Sequence, residues 1–301
     1  MKTLIRGEGE MKAMKAQVRP LRQKDIEDVL EISKQVWNGH DYIPGVVRDW
    51  LKDEDSFTIC VEVDNKVVGI SNLRVIENGK TGWMEGLRVH PDFRGQGYAN
   101  LLTDGLVEHA ISIGIPRLRY TTVVENKASM ALAERAGLEE LFRMIVFWAD
   151  VPEEISEVKN VNLQPISTDT LLESLEDYPE IMPRPIIIYD WKARDLTPEG
   201  IREVAKHRTF WTSEDENGFA LSFGGRRYEE RDDAWSCTVY SDNVQMARAH
   251  LVHHVRIAMS SGLDVIVSIL NKEFKDLVAE LPWLEETERF REVALMERRL
   301  Q

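Results

Sequence analysis

The sequence is poor in the features that would place it in several large classes of protein. It has two cysteines, Cys60 and Cys237, which lie far apart and match no metal or redox spacing, so a disulfide framework is not expected. Each sits in a strand-like run and is expected as a small buried hydrophobe in a reducing, cytoplasmic setting. No apolar run approaches the ~18–20 residues that a membrane span requires. The opening MKTLIRGEGEMKAMK has no apolar h-region and no small-residue cleavage site, so it does not read as a secretory signal. Residues 1–15 read as a tail. Positive charge is scarce as well: 38 Lys and Arg face 52 Asp and Glu, a formal net charge of −14. That balance argues against nucleic acid or anionic membrane as partners, but leaves room for a local basic pocket that holds a phosphorylated cofactor.

What is present is a globular composition, 43% hydrophobic and 30% charged over 301 residues, enough chain for two domains of ordinary size. In the first half a strand at 18–21 precedes a helix over 25–37, where Ile26, Val29, Leu30, Ile32 and Val36 recur at helical spacing. Pro44 opens a second helix through Trp50. Strands are predicted over 57–63, 67–75 and 83–89, separated by the turn runs Asp64-Asn65-Lys66 and Asn78-Gly79-Lys80. Connections this short make those strands antiparallel. A glycine turn then leads into a helix with Tyr98, Leu101, Leu102, Leu106, Ala110 and Ile113 on one face. A strand at 118–124, Asn126, a helix over 127–136 capped by Gly137 and a strand at 144–148 follow. The order β-α-α-β-β-β-α-β-α-β fits an α/β mixed sheet with helices on both faces.

The acidic stretch 151–160 reads as a linker. Beyond it the closing pattern recurs: a helix over 244–259, Gly262, a β-branched strand at 265–270, Asn271 in the place of Asn126, a short helix and a strand near 293–296. This is an internal duplication in which Tyr240-Ser241-Asp242-Asn243 replaces the glycine turn. The predicted domains are therefore 16–150 and 161–301, the second a degenerate copy that lacks cofactor binding and helps to form the acceptor pocket.

The glycine turn carries the chemistry. The first N–H groups of a helix have no internal partner, and the aligned peptide dipoles favour negative charge there. Gly95 and Gly97 let the main chain approach a pyrophosphate, and Arg94 adds a charge-assisted contact. By itself this pattern is equally compatible with a ligand-free loop. Its context is more specific. The run Leu87-Arg88-Val89-His90-Pro91-Asp92-Phe93-Arg94-Gly95-Gln96-Gly97-Tyr98-Ala99, followed by Asn126-Lys127-Ala128-Ser129 and Glu134-Arg135-Ala136-Gly137-Leu138, resembles the two motifs of the GNAT N-acetyltransferase superfamily.

The resemblance implies the GNAT acyl-CoA N-acyltransferase fold and acetyl-CoA as co-substrate, without a metal. It implies that main-chain groups of Leu87, Arg88 and Val89 pair with the pantetheine arm and that Arg94, Gly95, Gln96, Gly97, Tyr98 and Ala99 hold the pyrophosphate. Asn126 and Ser129 would contact the arm near the thioester. The segments Asn38-Gly39-His40-Asp41-Tyr42-Ile43-Pro44 and Met84-Glu85-Gly86-Leu87-Arg88-Val89, with the stretch Ile186–Trp191 and Trp235 in the second half, further resemble the vertebrate histidine N-acetyltransferase group. That likeness does not carry histidine over as the acceptor. The expected partner is a small-molecule amine, such as that of an amino acid, bound by a monomer or homodimer. A protein N-terminus or lysine, or a non-catalytic acyl-CoA sensor, are the alternatives.

Attack on a thioester requires a neutral amine, and Glu85 is the candidate base. Two residues before Leu87, it is expected on the same sheet face as Leu87. Its alternative role is to orient the substrate ammonium. Many relatives carry a proton-donating tyrosine where this chain has Ala133; a thiolate with a pKa near 8.5 departs without much help, and Tyr120 or Tyr42 are substitutes. Asp41 and Tyr42 fall in the loop that lines the acceptor site in this superfamily, while Trp37 and Trp50 read as core or stacking aromatics. His250 and His254, four apart on a helix, read as a surface pair in preference to metal ligands. The run Glu285-Glu286-Thr287-Glu288-Arg289 reads as a solvated turn or helix end.

Overall fold

The computed structural model describes residues 16–36, 39, 41–155, 163–216, 218–227, 234–279, 281 and 290–300. The expected tail, Trp37, the second half of the 151–160 linker and the acidic run from Glu285 lie outside them. The chain divides into two compact units. One comprises Met1–Arg119, Ala131–Leu138 and Arg298–Gln301; the other Tyr120–Met130 and Glu139–Glu297.

The first unit opens with β1 (Ala16–Pro20), α1 (Ile26–Lys34) and α2 (Ile43–Trp50). Three longer strands follow, β2 (Ser56–Val63), β3 (Lys66–Ile76) and β4 (Thr81–Val89), then α3 (Tyr98–Ser112) and the start of β5 (Arg117–Val123). The order β1-β2-β3-β4 is antiparallel throughout, as short connections require. Asp64 and Asn65 both take positive φ, 49° and 66°, the geometry that matches a tight hairpin to strand twist. β5 returns through α3 and runs parallel to β4, pairing at Gly82↔Leu118 and Trp83↔Arg119. β4 continues beyond that ladder to Val89.

Two apolar layers flank this sheet. Ile59, Val61, Leu73 and Leu118 pack with Leu102 and Leu106 of α3. Cys60, Val67 and Ile70 pack with Val29 and Ile32 of α1 and with Ile43, Val47 and Trp50 of α2. Each fully buried aliphatic side chain contributes about 1.5–3 kcal/mol. Cys60 is part of this second layer, and burial pushes its thiol up to about 12, so it is packing and not a nucleophile. Ile113 departs from expectation. It is 48% exposed because α3 ends at Ser112, leaving Ile113 past the last turn, and Thr103 and Val107 complete the buried face.

The second unit contains the rest of β5 and the first turn of α4 (Lys127–Arg135). It continues with β6 (Glu139–Asp150), β7 (Pro165–Ile166), α5 (Thr168–Asp177), the hairpin β8 (Ile186–Tyr189) and β9 (Lys192–Asp195), and α6 (Pro198–Ala205). Then come β10 (Thr209–Asp215), β11 (Gly218–Arg226), β12 (Ala234–Ser241), α7 (Val244–Ser260), β13 (Val265–Asn271), α8 (Lys275–Ala279) and β14 (Phe290–Arg299). The strand order here is β14-β6-β13-β12-β11-β10-β7. β12 and β13 are parallel and joined by α7, so each unit holds one strand–helix–parallel-strand crossover, the expected internal repeat. Among the described residues no helix is long and apolar enough to cross a membrane.

Candidate functional site

β4 is broken by a bulge. Asn72 of β3 faces Glu85 and Ile70 faces Arg88, so Gly86 and Leu87 together oppose Ser71. Gly86 sits at φ +70°, and a Cβ there would lie 2.4 Å from Cη2 of the buried Trp50. The bulge overturns the simple alternation of faces. Met84, Leu87 and Val89 pack towards the α3 layer, whereas Glu85 bonds Asn72 and Arg88 reaches Asp41. Glu85 and Leu87 therefore do not share a face. Gly86→Ala combines left-handed backbone strain with a collision against a rigid indole, and is expected to cost about 2–4 kcal/mol. Thermal denaturation should show it as a clearly lowered midpoint; an unchanged midpoint would contradict the packing described.

Glu85 is half-buried. Its Oε1 accepts from Asn72 Nδ2 at 3.0 Å and lies 3.5 Å from Arg74 Nε. Asn72 and Thr58 were not singled out from the sequence. The available signal was polar side chains within otherwise β-branched and apolar strands, at Thr58 in β2 and Ser71-Asn72 in β3.

Asp41 and Tyr42 meet Arg88. The guanidinium donates through Nε and Nη2 to the two Asp41 oxygens at 3.1 and 2.9 Å, donates through Nη1 to the Leu87 carbonyl at 2.9 Å, and lies 5.4 Å from the Tyr42 ring centroid. The Asp41 side chain is fully buried, so its charge is met by Arg88, which orients the loop before α2. Trp50 is a core aromatic, edge-on to Tyr42 at 6.4 Å.

The glycine turn follows β4. Gly95 and Gly97 take φ +74° and +82°, and a Cβ at either would meet no atom within 4 Å. Gly97 is the N-cap of α3, and no side chain caps that helix start. The first-turn amides are thus left without a cap from the Gly97 position, beside open space over Gly95 and Gly97, which fits an anionic group. Around the turn, Arg94 Nε donates to the Val89 carbonyl at 3.2 Å, and the Tyr98 hydroxyl donates to Gln96 Oε1 at 3.1 Å. Ala99 lies in the first turn, its carbonyl accepting from Thr103 Oγ1.

Asn126 and Ser129 belong to the second unit. Asn126 Oδ1 accepts from the Ser129 amide at 3.1 Å and so caps α4, while Tyr120 donates its hydroxyl to the Ser129 carbonyl at 2.9 Å. Burial pushes the Tyr120 phenol above its ordinary range. Ala133 is buried, with no hydroxyl to offer.

The corresponding helix start of the repeat is built differently. Asn243 caps α7 with its own side chain, accepting from the Gln245 and Met246 amides at 2.8 and 3.1 Å. A side-chain oxygen therefore stands where an anion would have to bind. A cleft of about 890 Å³ in this unit is lined by acidic and basic side chains, among them Glu140, Arg143, Asp242 and Glu292. Asn271 also borders it but, unlike Asn126, is buried and donates to the Ile181 carbonyl at 3.2 Å.

His250 and His254 are not a surface pair: both are wholly buried. His250 lies between the hydroxyls of Ser213 and Ser222, at 2.9 and 2.7 Å, and His254 Nδ1 accepts from Trp235 Nε1 at 3.2 Å. Of the other residues singled out in this half, Trp191 accepts through its carbonyl from Thr121 Oγ1 at 2.5 Å.

Comparison with known proteins gives this geometry a context. Residues 24–138 match the model of the acetyltransferase (GNAT) family. The chain is 25% identical to a histidine N-acetyltransferase of Xenopus tropicalis over 211 residues, covering 64% of this chain and 64% of the relative. It thus spans slightly less than two thirds of that protein's length. A GCN5-related N-acetyltransferase from Sphaerobacter thermophilus shares the fold with a TM-score of 0.63 at 13% identity, covering 94% of this chain and 95% of that one. A tandem GNAT protein from the clavulanic acid biosynthesis pathway does so with a TM-score of 0.54 at 12% identity, covering 95% and 98%.

Proposed function

We propose, for a chain whose residues 24–138 belong to the GNAT acetyltransferase family, that it transfers the acetyl group of acetyl-coenzyme A to the primary amine of a small molecule such as an amino acid. The observation that carries the reading is the uncapped start of α3, with open space over Gly95 and Gly97. Acetyl-coenzyme A fits there: its diphosphate suits the first-turn amides and Arg94, and it supplies an acetyl group on a thioester. Leu87 and Val89, on the stretch of β4 that runs past the β5 ladder, are positioned to take its pantetheine arm as an added strand. On the other face of β4, Glu85 receives the proton that the acceptor ammonium must lose before the amine can attack. Asp41, Tyr42 and Arg88 shape the loop on that face. A relative named for acetylating histidine supports an amino-acid amine as the acceptor class.

The second unit is proposed to bind no acetyl-coenzyme A, since Asn243 already satisfies the amides at the start of α7. Calorimetry should therefore count one coenzyme A per chain. Gly97→Val, which forces a β-branched residue into a left-handed backbone, should weaken that binding at least tenfold. Thiol release across an amine panel tests turnover. The reading fails if coenzyme A does not bind, or if Gly97→Val binds it as well as the parent. A non-catalytic acyl-coenzyme A sensor is the second reading, favoured by Ala133 at the position where relatives carry an acidic hydroxyl; its signature is binding without turnover on any amine.

A further inference from the structure

We infer that Asn72 is a positioning residue for Glu85, held in turn by Thr58, and that this line of side chains decides which carboxylate oxygen takes the acceptor's proton. The inference rests on Glu85 as the base. The three residues lie on adjacent strands in direct register, Thr58↔Asn72 and Asn72↔Glu85. Thr58 Oγ1 donates to Asn72 Oδ1 at 2.8 Å, and Asn72 Nδ2 donates to Glu85 Oε1 at 3.0 Å. Asn72 is completely buried and Thr58 nearly so.

The direction of the relay follows from hydrogen-bond chemistry. With Thr58 donating to its oxygen, the Asn72 amide presents nitrogen to Glu85, and an amide N–H can only donate. Oε1 is therefore kept as an acceptor, which directs an incoming proton to Oε2. Asn72 also restrains the carboxylate against a competing partner. Arg74 Nε lies 3.5 Å from Oε1 and 3.7 Å from Asp53 Oδ2, is buried, and makes no hydrogen bond. Without Asn72, Glu85 would turn towards Arg74 and form the full ion pair, withdrawing the base from the acceptor. A misplacement of about 1 Å at a reacting group costs on the order of 10²-fold in rate.

The test uses the whole chain. Asn72→Ala should lower kcat about 10- to 100-fold, leave coenzyme A affinity within about twofold, and move the acidic limb of the pH–rate profile. Asn72→Asp, which sets a second carboxylate against Glu85, should move that limb to higher pH. Thr58→Val should lower kcat severalfold, while Thr58→Ser, which keeps the hydroxyl, should restore it. Parental kcat and an unmoved profile in a folded Asn72→Ala would overturn the inference. If that variant does not fold, equal kcat for Thr58→Val and Thr58→Ser overturns it instead. Full activity in Glu85→Gln is a different outcome, which removes the base assignment itself.

Discussion

Glu85→Gln is expected to lower kcat by roughly 10²–10⁴-fold while coenzyme A binds as before. The amide is nearly isosteric and keeps an oxygen for Asn72 Nδ2, so the local hydrogen bond at 3.0 Å can persist. What disappears is the group able to accept a proton. The deficit also carries information about the acceptor. An α-amine has a pKa near 7.7–8.0 and is partly neutral at pH 7, whereas a lysine-type amine near 10.4 is almost wholly protonated. For an α-amine the deficit should narrow as pH rises to about 8; for a lysine-type amine it should stay wide across that range. Steady-state rates for parent and variant between about pH 6.5 and 9 separate the two. Equal rates throughout would reject Glu85 as the base.

The second large effect is on stability, and arises from His250 and His254. Burial holds His250 neutral down to about 3, and burial with the neighbouring His253 holds His254 well below its ordinary range. His253, itself depressed by burial and Arg256, adjoins both. In the unfolded chain these imidazoles titrate near 6.5. Between about 3 and 6.5 the unfolded state binds more protons than the folded one, so stability rises with pH through that window and is lost as pH falls below 6.5. His250 should cost about 1.4 kcal/mol per pH unit there, and His254 adds to the loss in the same direction. Trp211 and Trp235 are natural reporters, their rings lying 5.1 and 6.1 Å from that of His254. Their fluorescence should show a melting midpoint that is level above pH 6.5 and drops steeply towards pH 4.5. A midpoint level across the whole range would remove the argument. His250→Gln, neutral at every pH and able to bond either serine, should flatten the slope.

These two results bear on different kinds of information. The strands and helices of the first unit were legible because their apolar positions follow the periods of two and 3.6, and because Asp64-Asn65 and Asn78-Gly79 are turn chemistry. The anion-binding turn was legible for the same local reason: two glycines at a strand-to-helix junction. The burial of His250 and His254 was not. A histidine at helical spacing is compatible with either face of α7 until the sheet beneath it is known, and the serines and tryptophan that satisfy it come from β10, β11 and β12.

The same limit applies to the site on β4. Asn72 and Glu85 are 13 residues apart, and only the register of β3 against β4 makes them partners. Gly86 was visible as a glycine, but its bulge, and the reversal of faces from Leu87 onward, depend on Trp50 packing against it. Local sequence thus determined the order of elements, the glycine turn and the missing glycine of the repeat, since these depend on backbone preference and short-range hydrogen bonding. Tertiary structure decided which carboxylate oxygen is tied down, that Asp41 is spent on Arg88, and that the histidines are buried, because each depends on strand register and on groups distant in the chain.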